Sequence, residues 1–261
     1  MITFGGNTLT VGGAWLTEVD PLNPLGLPPY TLRCRFTSGY TPTQGTSRVQ
    51  VSSSPNVWDI TKDTLDAEYD GVTWSGLFYT YGHGTGCTQL LEVLGANATG
   101  VVNLQMVFHG CSNLTSVAPF DASDAVHCWG TFHDNVSLVN APDLSLDSCR
   151  VAGSMFYGCT SLVNPPNLTN TSGIGTWASL FARCSSLSRV PLYDTGSGEY
   201  FGSMFFGCRN VASGAYELYQ QVSQQPTVIA HDNMFTDCGI DTVTGLADLQ
   251  RIPTSYGGLM E

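Results

Sequence analysis

The chain has 261 residues, 42% of them hydrophobic, which is enough to bury a sizeable core; 29 Gly and 13 Pro imply many turns and few long helices. Only 11% of residues are charged, against about 25% in ordinary domains, so Ser, Thr, Asn and Gly must cover the surface, a composition that suits secreted or virion proteins. The net charge of −12, with nine Lys and Arg spread along the chain, excludes nucleic acid as a partner, because phosphate binding needs clustered cations; no stretch approaches the ~20 apolar residues of a membrane span, so no membrane insertion is expected.

Met1 is followed by Ile-Thr-Phe-Gly-Gly, with neither a basic start nor an apolar core. The expectation is synthesis in a cytoplasm without a signal peptide, with a virion-associated or cell-surface destination reached by another route. Ile2–Phe4 and Thr8–Val11 flank Gly5-Gly6-Asn7 as a hairpin, and a linker with Pro21, Pro24, Pro28 and Pro29 comes next. Tyr30–Phe36 alternates, with Leu32, Cys34 and Phe36 on one face, as a half-buried strand does. Arg48–Val51 and Val57–Ile60 are two further short strands. Residues 1–72 are thus a small β-rich segment that either caps the remainder of the chain or attaches it to a virion partner or a second copy.

From there one phrase recurs. Phe108-His-Gly-Cys111-Ser-Asn-Leu114, Phe156-Tyr-Gly-Cys159-Thr-Ser-Leu162, Phe181-Ala-Arg-Cys184-Ser-Ser-Leu187 and Phe205-Phe-Gly-Cys208-Arg-Asn-Val211 share one frame. Phe132-His-Asp-Asn135-Val-Ser-Leu138 fits with Asn in place of Cys, and Phe235-Thr-Asp-Cys238 begins a degraded copy. An earlier copy, Cys87-Thr-Gln-Leu90, has lost its adjacent Phe; Phe78 lies upstream across a Gly-rich insertion. From Cys87 the anchor steps by 24, 24, 24, 25, 24 and 30 residues. A fixed period of this length means stacked supersecondary units, an α/β repeat solenoid over residues 73–241. Equivalent positions then stack, so Cys87, Cys111, Asn135, Cys159, Cys184, Cys208 and Cys238 form a ladder of small buried residues. Asn135 fits that ladder if its amide hydrogen-bonds the turn backbone. The cysteine count of nine and the absence of any CxxC argue for reduced, structural thiols rather than a zinc site.

After each anchor, Leu114–Phe120, Leu138–Leu144, Leu162–Leu168 and Leu187–Tyr193 line up as short strands. The Met-Phe segments (Met106–Phe108, Met155-Phe156, Met204-Phe205, Met234-Phe235) begin a short helical or 3₁₀ turn opposite, with Phe filling the core. Ala215–Gln225, with Leu218 and Val222 four apart, is a short amphipathic helix ended by Pro226, and residues 242–261 close the C-terminal end.

Ser-Met-Phe-Tyr-Gly-Cys-Thr-Ser-Leu (154–162), Arg-Val-Pro-Leu-Tyr-Asp-Thr (189–195) and Phe120-Asp-Ala-Ser-Asp124 resemble BspA-like, or Treponema-type, leucine-rich repeats, over roughly residues 76 to 240. The resemblance implies a leucine-rich-repeat solenoid with short parallel strands, of the kind found in bacterial surface adhesins and in gut bacteria and their phages.

The repeat frame points two sets of side chains outward. On the strand face Ser116, Asn140, Asn164, Arg189 and Ser213 form a polar stripe suited to a cell-surface glycan or an extended protein segment, or simply to solvent. The residue after each Phe is His109, His133, Tyr157, Ala182, Phe206 and Thr236; His109, His133, Tyr157 and Phe206 make an aromatic ridge if exposed. His109 and His133 suggest a transition metal, but the sequence offers no third ligand beside them, so no metal or other cofactor is expected. No Gly-x-Ser-x-Gly, His-Glu-x-x-His, P-loop or dinucleotide fingerprint occurs. Asp121, Asp124, Asp134, Asp143 and Asp194 are read as turn formers before they are read as the paired carboxylates of a polysaccharide-degrading enzyme. The sequence therefore points to a non-enzymatic recognition protein, with a structural or decoration role as the alternative.

Overall fold

A computed structural model of the protein describes residues 3–4, 7–8, 23–66, 68, 71–80 and 85–261. Strands are many and short: β1 (Thr3–Phe4), β2 (Asn7–Thr8), β3 (Thr31–Phe36), β4 (Ser47–Ser53), β5 (Asn56–Thr61), β6 (Val72–Thr73), β7 (Tyr79–Thr80), β8 (Thr85–Gly86), β9 (Leu90–Asn97), β10 (Val101–Asn103), β11 (Ser116–Val117), β12 (Leu144–Ser145) and β13 (Leu168–Thr169). Helix is confined to α1 (Ala215–Ser223), α2 (Val243–Leu249) and a 3₁₀ turn at Thr254–Tyr256. β1 and β2 pair antiparallel as the hairpin expectation requires; the rest of that hairpin, Pro21 of the linker and the glycines at 82 and 84 lie outside the described residues.

β3, β4 and β5 fall on the three stretches read as strands, Tyr30–Phe36, Arg48–Val51 and Val57–Ile60. In β3, Leu32, Cys34 and Phe36 are buried on one face, and β3 pairs antiparallel with β5 and with β9. The resulting five-stranded sheet runs β11-β9-β3-β5-β4, so the N-terminal strands are hydrogen-bonded to the first repeats. Arg35 fastens that junction with a bidentate ion pair to Glu92 on β9.

From residue 78 on, seven phenylalanines run through the interior in stacked pairs. Phe78, Phe108, Phe132, Phe156, Phe181, Phe205 and Phe235 have successive ring centroids 5.7, 5.3, 5.3, 5.2, 5.6 and 6.0 Å apart, and Phe36 of β3 meets the first at 6.3 Å. Phe78 is therefore the phenylalanine of the first repeat: the β7–β8 hairpin separates it from Cys87 in sequence, yet the Cys87 N–H still donates to the Phe78 carbonyl.

The segment around each Phe is not the short helix or 3₁₀ turn expected. It is a run of tight turns flanked by left-handed residues: two positions before the Phe (Gly76, Met106, Gly130, Ser154, Ser179, Ser203, Asn233; φ 53–62°) and two after it (Gly110, Asp134, Gly158, Arg183, Gly207, Asp237; φ 58–72°). Left-handed residues break a helix. The freed N–H groups turn to the neighbouring repeat instead: Met106, Phe108 and Gly110 donate to the carbonyls of Trp129, Thr131 and His133, and this pattern repeats. Just upstream, isolated parallel bridges join Asn103, His127, Val151, Thr176, Tyr200 and Ala230 in succession. After the anchors, the expected strands form only in part, as β11, β12, β13 and the Ser116–Asn140 bridge.

All nine cysteines are buried free thiols. Cys159, Cys184 and Cys208 donate S–H to the carbonyls of Phe132, Phe156 and Phe181, 3.0–3.1 Å away. Asn135 occupies its rung with no exposure, but the expected bond to turn backbone is not made: neither Oδ1 nor Nδ2 has a hydrogen-bond partner among the described residues. At the far end, α1 buries Ala215, Leu218 and Val222 as its spacing dictates, and the Phe235 N–H donates to Tyr256 of the terminal 3₁₀ turn.

Candidate binding site

This frame presents two outward surfaces. On the strand face, N–H groups of Thr115, Val139, Ser188 and Ala212 donate to carbonyls of the preceding repeat (Leu91, Thr115, Val163, Ser188), which fixes the register of the side chains beside them. Asn140, Asn164, Arg189 and Ser213 are exposed and Ser116 is half-buried. Exposed Val139 and Val163 lie next to Asn140 and Asn164 in the chain.

Arg189 opens onto a groove of about 550 Å³ that also takes in Asp143, Pro165, Asn167, Leu192 and Asp194. A smaller hollow of about 220 Å³ adjoins it through Asp143, Asn167 and Thr169, extending to Asp121. The aspartates here are partly committed to the backbone: Asp143 accepts the Asn167 N–H at 2.7 Å, Asp194 that of Gly196, and Asp121 that of Ser123. Asp121 and Asp194 thus act as turn formers and Asp143 ties its repeat to the next, while Arg189, amides and an exposed Leu192 side chain (57%) line the remaining wall. Pro165, Pro166 and Pro191 are buried beneath the groove, so its accessible wall is Leu192 beside the polar side chains of Asn167, Thr169 and Arg189. The strand stripe is legible in the sequence; this groove is not, since its residues come from loops whose mutual approach no motif records.

On the turn side, the residue after each Phe is half-buried, or fully buried in the case of Ala182, rather than free. Its backbone is tied in both directions, for example by Gly110 and Asp134 donating to the carbonyls of His133 and Tyr157. The rings therefore meet at rung spacing: Tyr79 edge-on to His109 at 4.3 Å, His109 tilted against His133 at 4.5 Å, and His133 stacked on Tyr157 at 4.5 Å. Arg183 lies over the Tyr157 ring at 5.5 Å. The sequence does not reveal Tyr79 as a member of this series, because the insertion hides its frame. Phe206 is separated from the others by Ala182, so the continuous ridge is Tyr79–His109–His133–Tyr157.

Asp134, read from the sequence as a turn former, lies beside the two histidines. One nitrogen of each imidazole and one Asp134 oxygen lie within 4.8 Å of one another, the one such group of three among the described residues. His133 Nδ1 approaches Asp134 Oδ2 to 3.2 Å without meeting hydrogen-bond geometry, and the Nδ1 atoms of both His109 and His133 are buried without a hydrogen-bond partner among the described residues. Burial, reinforced by the neighbouring His133, lowers the basicity of His109, and the His133 ring beside it holds the Asp134 carboxyl below its usual range.

No protein-family model matches the chain, and no curated protein matches it. Among solved structures, the chain is similar to the leucine-rich repeat protein of T. pallidum, at 20% identity and a TM-score of 0.47, over 74% of this chain and 81% of that one. No helix among the described residues is long and apolar enough to cross a membrane.

Proposed function

We propose that this chain is a non-enzymatic recognition protein, a BspA-like leucine-rich-repeat solenoid that binds a cell-surface glycan or protein on behalf of a phage virion or a bacterial surface. The observation that carries the proposal is the stripe of exposed Asn140, Asn164, Arg189 and Ser213 with half-buried Ser116, set one residue per repeat and running into the Arg189 groove. Regular spacing converts weak single contacts into multivalent binding to a ligand that itself repeats, as glycans do. The test is binding of fluorescently labelled protein to whole bacteria, mucin and purified glycans, beside a variant carrying Asn140→Ala, Asn164→Ala and Arg189→Ala. Saturable binding lost in the variant supports the strand face. Binding retained by the variant sinks that placement and moves the site to the aromatic ridge, and no binding to any surface sinks the recognition role.

A structural or decoration role is the second reading, favoured by β4. This strand ends the five-stranded sheet and is exposed along nearly its whole length, with Val49 and Val51 outward, an edge open to pairing with a partner. Removal of residues 1–72 that abolishes attachment to a particle while sparing glycan binding would assign docking to that segment. Depolymerisation of any polysaccharide in the same panel would instead revive an enzymatic role.

A further inference from the structure

We infer that His109, His133 and Asp134 form a binding site for a divalent transition ion of the Zn²⁺ type, on the turn side of the repeats and apart from the strand face. Four observations converge on it. The two imidazoles come from neighbouring rungs with centroids 4.5 Å apart, and each keeps a buried Nδ1 outside hydrogen-bond geometry, that of His133 facing Asp134 Oδ2 at 3.2 Å. Buried polar atoms left without a partner cost about 1–3 kcal/mol, so two of them side by side beside a carboxylate mark a place shaped for something else. Asp134 occupies the left-handed slot two residues after the Phe, which glycine fills at 110, 158 and 207 and which Arg183 and Asp237 also occupy; aspartate is one of the few non-glycine residues that enter this region readily. Asp in that slot carries its carboxylate to the ligand nitrogens. Its other oxygen is accommodated because the next rung has Gly158, whose hypothetical Cβ would collide with Asp134 Oδ1.

Two imidazoles and one carboxylate are a nitrogen-rich donor set, suited to zinc-like ions rather than to Ca²⁺ or Mg²⁺, which take oxygen ligands. Zinc holds its ligands at about 2.0–2.1 Å, which puts donors roughly 3.3 Å apart, so the set must close by on the order of 1 Å around the ion. Asp134 has a half-exposed side chain, so the ion keeps a solvent-facing position for a further ligand. Tyr79 and Tyr157 flank the histidine pair and hold the rings in register. Arg183, which lies over Tyr157 and acts electrostatically on Asp134, opposes a bound cation.

The test is calorimetric titration of the chelator-stripped full chain with zinc chloride. One ion per chain is expected, with affinity falling about tenfold or more in His109→Ala, His133→Ala and Asp134→Asn. Arg183→Ala should bind more tightly, and His231→Ala, whose ring stacks on Tyr256 outside the cluster, should bind as the parent does. Asp134→Gly separates the site from the fold: it restores the residue of the neighbouring rungs, so the ion-free protein should melt no lower than the parent while its zinc affinity is lost. Absence of binding at millimolar zinc, or unchanged affinity in Asp134→Gly, overturns the inference. So does a thiolate charge-transfer band in the Co²⁺-substituted protein, which would assign the ion to the cysteines.

Discussion

Asn135→Cys should make this protein more stable, although it removes a polar residue from a polar-looking slot. Asn135 is fully enclosed on the cysteine ladder, and neither its amide nitrogen nor its oxygen has a hydrogen-bond partner among the described residues. An unmet buried group costs about 1–3 kcal/mol, and replacement by a residue without that need recovers the cost. The three best-formed rungs show what the thiol would do: Cys159, Cys184 and Cys208 each donate to the Phe carbonyl one rung back, and the same offset brings a thiol at 135 to Phe108. The expected gain is about 1–3 kcal/mol, which in a chain of this size raises the thermal midpoint by about 2–4 °C per kcal/mol. Urea and thermal unfolding under reducing conditions, followed by far-UV circular dichroism, read the difference. Asn135→Ala is the companion: it removes the same unmet amide but leaves a cavity and supplies no donor, so it should gain less than the cysteine variant. If Asn135→Cys instead lowers the midpoint, the amide makes bonds that stabilise the fold, and the reasoning about this rung fails.

The same frame yields three further expected outcomes. Phe132→Ala removes a ring stacked at 5.3 Å on both Phe108 and Phe156 and should cost about 3–5 kcal/mol; a urea-derived loss under about 2 kcal/mol would show that the stack collapses around the gap. Gly207→Ala and Gly214→Ala should differ sharply although both glycines have positive φ: a Cβ at 207 meets nothing closer than 3.8 Å, so the cost is the left-handed penalty of about 1–2 kcal/mol, whereas at 214 it would strike the Val190 carbonyl and force the backbone to move. Equal urea midpoints for the two variants would contradict that account. Arg35 holds Glu92 below its ordinary value of 4.5, so the unfolded chain binds more protons in acid, and the contribution of the pair is complete above that value and lost as pH falls through the folded pKa. Glu92→Gln should therefore lower stability near neutrality by the contribution of the pair and converge with the parent in acid, which flattens the acid limb of stability measured against pH, and an unaltered limb would exclude this junction as its source.

Side-chain chemistry that repeats is what the sequence makes legible. Phe and Cys recur because each fills the same volume in every rung, so their period exposes the stacking, and alternation in Tyr30–Phe36 exposes β3 for the same reason. The bridge ladder through Asn103, His127, Val151, Thr176, Tyr200 and Ala230 is illegible because the backbone makes it, and a backbone hydrogen bond places no demand on the side chain. The turn segment reads as helical because Met-Phe pairs suit either structure. Its informative residues are the left-handed ones, where Gly76, Gly110, Gly130, Gly158 and Gly207 mark the slot while Ser, Asn, Asp, Met or Arg hides it in the other rungs.

The same turn geometry gives a reason for function to gather on the turn side as well as on the strand face. In each turn the Phe and the anchor are fixed by packing, and the residues two before and two after the Phe are fixed by backbone sign. The residue just after the Phe is tied only through its N–H and C=O, so its side chain is free to vary while its position stays registered to the next rung, with ring spacings of 4.3–4.5 Å along the ridge. A position that is held by the backbone and released from the core can take Tyr, His, His and Tyr in succession without a change in fold. Where glycine is also replaced, as at Asp134, the frame holds a side chain it does not need for packing. Arg183 and Asp237 take the same left-handed slot beside Ala182 and Thr236, so what sets Asp134 apart is the pair of histidine rings next to it. Ligand chemistry is what two histidines and a carboxylate in register can supply.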